Sequence, residues 1–199
     1  MSSESIGHGQ PGLQSGRWRR TYVSIHCLWV LLFPVALGIS DARGVDTGFK
    51  ENEIRAAILY NFLLFVEWPA EVLEEGEITV GVIGNPELGA ILERAERRGI
   101  GDKRLSVESL DEPPSRQALP RYHLLYFESA PGQSLMESLQ EFPVLTVGRD
   151  AKFFELGGMI LIFRDGARVR FDVHQSRIES TGIQVRSQML RVARKVVKQ

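Results

Sequence analysis

The chain has 199 residues, 43% hydrophobic and 25% charged, enough for one globular domain with its own core and too few for two comfortable ones. Its formal net charge of -1 implies no polyanionic partner, so nucleic acid is not expected. Its one cysteine excludes an internal disulfide framework.

Arg17, Arg19 and Arg20 precede an apolar run from Val23 to Ile39, and Ser40-Asp41-Ala42 places small residues where a signal peptidase reads. Residues 1–42 therefore read as a signal peptide cleaved after Ala42. The rival reading is an uncleaved anchor, against which stand His26 and Pro34 inside a marginally short run. Cleavage removes Cys27, and with it thiolate catalysis and cysteine metal sites. The polar stretch 43–52 reads as a flexible lead-in with Thr47 or Asn52 as helix caps, followed by a single domain over 53–199.

That domain opens on Ile54 to Pro69, read as one helix stopped by proline, with apolar residues on every face: Ile54, Ile58 and Phe65; Ala57, Leu64 and Trp68; Leu59, Phe62 and Val66. It is too short to span a bilayer, so it is expected as a core helix covered nearly all round, either by the rest of the domain or in part by a partner. Asn61 is expected buried and hydrogen-bonded, because an unpaired buried amide is costly. The acidic stretch Glu71 to Glu77 reads as a solvated connection.

Ile78 to Ile83 is a β-branched run that reads as a buried strand ending at Gly84. Asn85, Pro86 and Glu87 then form a helix start, with the helix reaching Arg98. Such a turn can hold an anion, but Gly-Asn-Pro-Glu-Leu-Gly lacks the spacing of a nucleotide-binding loop, and capping is the plainer reading. Arg104 to Leu110 alternates as a half-exposed strand, 111–120 with its prolines reads as a loop, and Tyr122 to Phe127 is the next strand. A short helix over 133–140, a strand over 144–147 and a single helical turn from Asp150 to Gly157 follow. Met159 to Phe163 and Val169 to Val173 flank an Asp-Gly turn, so they read as a hairpin whose wet face carries Arg168, Arg170 and Asp172. After a last strand over 183–185, Ser187 opens a closing helix with Arg191, Arg194, Lys195 and Lys198 as a basic stripe. Strands alternating with helices imply a three-layer α/β/α sandwich, its mostly parallel sheet ending in an antiparallel hairpin.

Only His123 and His174 remain after the signal peptide, and the sequence shows no zinc-protease motif, nucleophile elbow, metal-spaced cluster or phosphate loop. His123, in an apolar strand, reads as a satisfied core residue rather than a ligand. With no nucleophile and base together, no enzyme, cofactor or metal is expected, and binding is the activity left.

The string Ala-Ala-Ile-Leu-Tyr-Asn-Phe-Leu-Leu-Phe-Val-Glu-Trp-Pro (56–69) resembles the N-terminal signature of the YfiR-like family of small periplasmic proteins. Pro143 to Phe163 and Val169 to Ala193 agree with that family in order. The resemblance implies a non-enzymatic periplasmic signalling regulator that binds and restrains an inner-membrane diguanylate cyclase. The alternative is a small-molecule-binding sensor module for another membrane signalling protein, with its crevice near Gly84 and Gly148. Partners are thus a membrane signalling protein, a second copy of the chain or a small ligand. The contact candidates are Arg168, Arg170, Arg191, Arg194 and Lys198. Relatives commonly carry cysteine pairs, and two of those positions are Gly81 and Tyr122 here.

Overall fold

The computed structural model describes residues 47–73 and 76–198; the expected signal peptide and its cleavage site lie outside them. The first helix, α1, spans Thr47–Phe65, so it starts inside the stretch read as a lead-in and encloses Asn52. It also ends four residues before Pro69. Val66–Glu67 (β1) instead pairs antiparallel with Gln184–Val185 (β8), a separate two-stranded sheet that satisfies the backbone at the helix exit. Trp68 is therefore off the helix.

The expectation that α1 is covered all round is corrected by its burial. Asn52, Arg55, Ala56, Leu59, Phe62 and Leu63 form one buried stripe at helical spacing, while Ile54 and Leu64 are exposed. Asn61 lies beside that stripe and is only half-buried, so it is not the buried amide that its position mid-run suggests.

The central sheet has seven strands in the order β3-β2-β4-β5-β6-β7-β9. They are Glu77–Ile83 (β2), Arg104–Leu110 (β3), Leu124–Phe127 (β4), Leu145–Gly148 (β5), Ile160–Asp165 (β6), Arg168–His174 (β7) and Lys195–Val197 (β9). Strands β2 to β6 run parallel, β7 turns back on β6, and β9 lies parallel to β7. Alternation along the strands sends Val80, Val82, Leu124, Tyr126, Leu145 and Val147 towards α1 and Pro86–Glu93 (α2). Ile83, Leu125 and Phe127 point the other way and meet Leu119, Met136 and Leu139 of the opposite layer, which includes Gln133–Leu139 (α3) and Ala151–Glu155 (α4). The expected three layers are thus present. Phe153 of α4 fits only because Gly148 and Gly158 carry no side chain: a Cβ on Gly148 would lie 2.5 Å from its ring, and one on Gly158 would overlap it.

Several local expectations hold. Asn85 caps α2, its side chain accepting the Leu88 amide at 3.0 Å with Pro86 in the first turn, although α2 stops at Glu93 before a 3-10 turn at Glu96–Arg98. Asp150 caps α4 through the Lys152 amide. Gly166, at φ 60, makes the hairpin turn.

The closing helix does not hold. After Gln175–Ser180 (α5, not expected), Ser187–Val192 (α6) is followed by Ala193 in extended backbone and then β9. Arg194 donates its amide to Phe171 O at 2.9 Å, and Val196 and Val197 pair with Val173 and His174. Two β-branched valines beside an open strand edge gain more from the ladder than from a frayed helical turn. The stripe of Arg191, Arg194, Lys195 and Lys198 is therefore divided between a helix and a strand.

Candidate functional site

The polar groups that sequence patterning passed over gather at the carboxyl ends of the parallel strands. Glu128 follows β4 directly and Arg149 follows β5, so both project from the sheet edge where a crossover fold presents ligand-facing residues. Glu51, Asn52 and Arg55, on the first turns of α1, come down onto them. The Glu128 carboxylate accepts hydrogen bonds from Arg149 (2.6 Å), Asn85 (2.8 Å) and the Tyr126 hydroxyl (2.8 Å), with Arg55 at 3.7 Å. Arg55, only 4% exposed, donates to Asn52 at 3.0 Å and to Glu51. Arg149 and Arg164 approach the same Glu51 carboxylate at 3.8 and 3.5 Å, and Asn52 donates to Glu87 at 2.8 Å.

Burial pushes the Glu128 carboxyl up, but the hydrogen bonds from Arg149, Asn85 and Tyr126 together outweigh it and hold the group below the usual carboxylate range. Burial and the neighbouring Glu128 charge push the Tyr126 phenol well above its ordinary value, so it stays a donor. The network is a charge-balancing clamp rather than an acid/base pair. Its sequence signal was faint: a charged residue just after each of two buried strands, and polar residues spaced i, i+1, i+4 in a helix otherwise read as apolar.

Arg168 and Arg170, with Arg194, fall on the hairpin face turned away from α1, which carries Phe163, Asp165 and Asp172 as well. That face is less wet than the alternation suggested. Asp172 is only 3% exposed; Arg194 grips it through Nε at 2.9 Å and again through Nη2, with its guanidinium 4.2 Å from the Phe163 ring centroid. Arg170 pairs with Asp165 at 3.5 Å. Arg168 is exposed at the turn, Arg191 at the end of α6 and Lys198 just beyond β9. The structure thus groups Arg168, Arg170 and Arg194 and leaves Arg191 and Lys198 on other elements.

His123 is the core residue that its apolar strand suggested, and His174 lies at the end of β7. His123 is buried, its Nδ1 accepting the Thr79 amide at 3.1 Å, so Nε2 carries the proton donated to Val72 O at 2.8 Å. His174 is half-buried with its ring 4.0 Å from Phe154, and burial, then Arg177 and Lys195, lower its pKa. Gly81 and Tyr122 are neighbours: a Cβ on Gly81 would lie 3.1 Å from the Tyr122 ring, whose hydroxyl donates to Glu108 at 2.6 Å. A ring and its hydrogen bond fill the space between these two positions; burial and then Glu108 raise the phenol pKa to about 12.

Two cavities on the described surface border α1. One, of about 420 Å³, is walled by Leu63, Leu64, Trp68 and Ile78, with Lys103 and the Glu67–Arg186 ion pair at its rim. The other, about 150 Å³, lies between α1 and the β6–β7 turn beside the clamp. Among the described residues no group of His, Cys, Asp or Glu could hold a metal ion, and no helix is long and apolar enough to cross a membrane.

A family model described as YfiR/HmsC-like matches residues 52–194. Comparison with curated proteins returns no match. Among solved structures the chain is similar to an ABC domain in complex with L-Trp from Streptococcus pneumonia, at 13% identity and a TM-score of 0.46. That likeness covers 69% of this chain and 61% of the other, and is too loose to add to the fold described above.

Proposed function

Because the chain belongs to the YfiR/HmsC-like family, we propose that it is an exported, non-enzymatic regulator, freed of residues 1–42, that binds a membrane diguanylate cyclase on its periplasmic side and restrains it. The observation that carries this reading is the match over 52–194, which takes in the whole sheet from β2 to β7 and most of α1. A regulator of this kind shifts its target only by binding the inactive state more tightly than the active one. It needs a charged surface and no reacting groups, and the hairpin supplies the first.

The contact we propose is centred on Arg168 and Arg170, with Arg191 and Lys198 as outlying cations and Arg194 holding the face together through Asp172. An acidic patch on the partner is the complement that such a surface selects. Arg168→Glu is the test, because Arg168 is exposed and makes no ion pair among the described residues. It is expected to weaken capture of the cyclase by crosslinking, less so at high salt, and to raise cyclic di-GMP in cells while the melting curve stays put. Unchanged cyclic di-GMP on deleting the gene, with no cyclase among the crosslinked proteins, refutes the proposal.

A further inference from the structure

We propose that the outward face of α1 is the surface on which two copies of this chain meet, the helices crossing antiparallel about a two-fold axis beside Ala57 and Asn61. Ile54, Ala57, Ile58, Asn61, Leu64 and Phe65 recur at helical spacing on the side opposite the buried stripe. Ile54 is 48% and Leu64 37% exposed, two of the three exposed large hydrophobic residues among those described. Asn61 stands in the middle of this face, and its side chain makes no hydrogen bond among the described residues. An amide is both donor and acceptor, so a second copy of itself across a two-fold axis completes it, and one such residue in an apolar stripe fixes the register of a helix pair.

Charge selects the direction. At 3.6 residues per turn, Ile54, Ile58 and Phe65 form one flank of the face, Glu53 and Leu64 the other, with Ala57 and Asn61 between them. Glu53 is exposed and makes no ion pair among the described residues. Leu64 shares the wall of the larger cavity with Lys103, whose own pairing with Asp102 is stretched to 4.0 Å, while Glu67 at the same rim is taken by Arg186 at 2.7 Å. An antiparallel two-fold axis reverses the helix but keeps each flank on its own side, so Glu53 of one copy faces Lys103 of the other and Ile54 meets Phe65. A parallel pair exchanges the flanks and sets Glu53 beside Glu51 of the other copy, a meeting of like charges. A face of six side chains falls short of the roughly 800 Å² per copy of a standard stable interface, so the dimer is expected to dissociate in the micromolar range. The hairpin face of Arg168 and Arg170 is turned away from α1, and the dimer therefore presents it twice.

The test is sedimentation velocity of the mature chain over a concentration series from low to high micromolar, where a reversible monomer–dimer equilibrium is expected. Ala57→Glu is a change at an exposed position to a good helix former, and it sets two like charges together at the axis. It is expected to weaken the dimer about tenfold with an unchanged melt. Glu53→Lys is expected to weaken it about threefold, the scale of exposed ion pairs, and the double variant Glu53→Lys, Lys103→Glu to restore it, which an effect on the monomer alone does not do. A chain that stays monomeric at every concentration, or a dimer that Ala57→Glu leaves intact, overturns the surface. Glu53→Lys without effect, or a loss that the double variant does not recover, overturns the antiparallel arrangement.

Discussion

Trp68→Ala is expected to destabilise the domain by about 3 kcal/mol, towards the lower end of the range of roughly 3 to 5 for a deleted buried aromatic. The indole is 7% exposed, its Nε1–H donates to His123 O at 3.1 Å, and its ring meets the His123 imidazole edge-on at 5.9 Å. Two features moderate the cost. The side chain borders the 420 Å³ groove, so water or neighbouring side chains can enter the space it leaves, and His123 O keeps the Leu145 amide at 2.9 Å. Trp68→Phe keeps most of the buried ring and loses one hydrogen bond, which points to about 1 kcal/mol. Urea unfolding of the mature chain followed by far-UV circular dichroism gives both numbers. Fluorescence does not serve, because Trp68 is the only tryptophan in the sequence from residue 43 onward and the alanine variant of that stretch has none. An alanine variant within about 1 kcal/mol of the parent that no longer self-associates or captures its partner would refute the reasoning, by showing that the indole covers an interface.

Glu128 is held below the usual carboxylate range, so its contribution to stability is present above the unfolded-chain pKa of about 4.3 and is lost as pH falls through the folded value. Glu128→Gln is expected to flatten the acid limb of a stability-versus-pH curve, and a limb of unchanged slope counts against the clamp. His174 is a base with a lowered pKa, so it adds stability above about 6.5 that is lost on acidification from there towards its folded value. His174→Gln is expected to reduce the drop in unfolding free energy between pH 7.5 and 5.5; an equal drop in parent and variant contradicts the assignment. Gly158→Ala drives a methyl group into the Phe153 ring and is expected to cost about 1 to 3 kcal/mol. Adding Phe153→Leu should recover part of that loss, and strictly additive losses would show that the two residues do not meet.

The strands were legible because their burial writes itself as short β-branched runs: the expected range 104–110 coincides with β3, and those for β2 and β4 differ by one or two residues at one end and those for β5 and β6 by one or two at each end. The turn chemistry of Asn85, Asp150 and Gly166 was legible for the same local reason. What failed depended on partners distant in the chain. Val66 and Glu67 look helical until Gln184 and Val185 arrive beside them, and Lys195 to Val197 look helical until β7 offers an edge. The clamp was invisible for a related reason. Glu51, Glu128, Arg149 and Arg164 are unremarkable surface residues one at a time, and only the crossover topology carries them to one end of the sheet.

That topology also divides α1 into two differently held halves. From Leu59 onward the helix rests on apolar contacts, among them Phe62 edge-on to Phe171 at 5.0 Å, which weaken little with salt or pH. From Glu51 to Arg55 it is held by guanidinium–carboxylate pairs and hydrogen bonds, Arg55 with Glu51 and Glu128 and Asn52 with Glu87. A regulator needs two arrangements separated by a small free energy, and a polar contact balanced against its own desolvation supplies that more readily than a packed core.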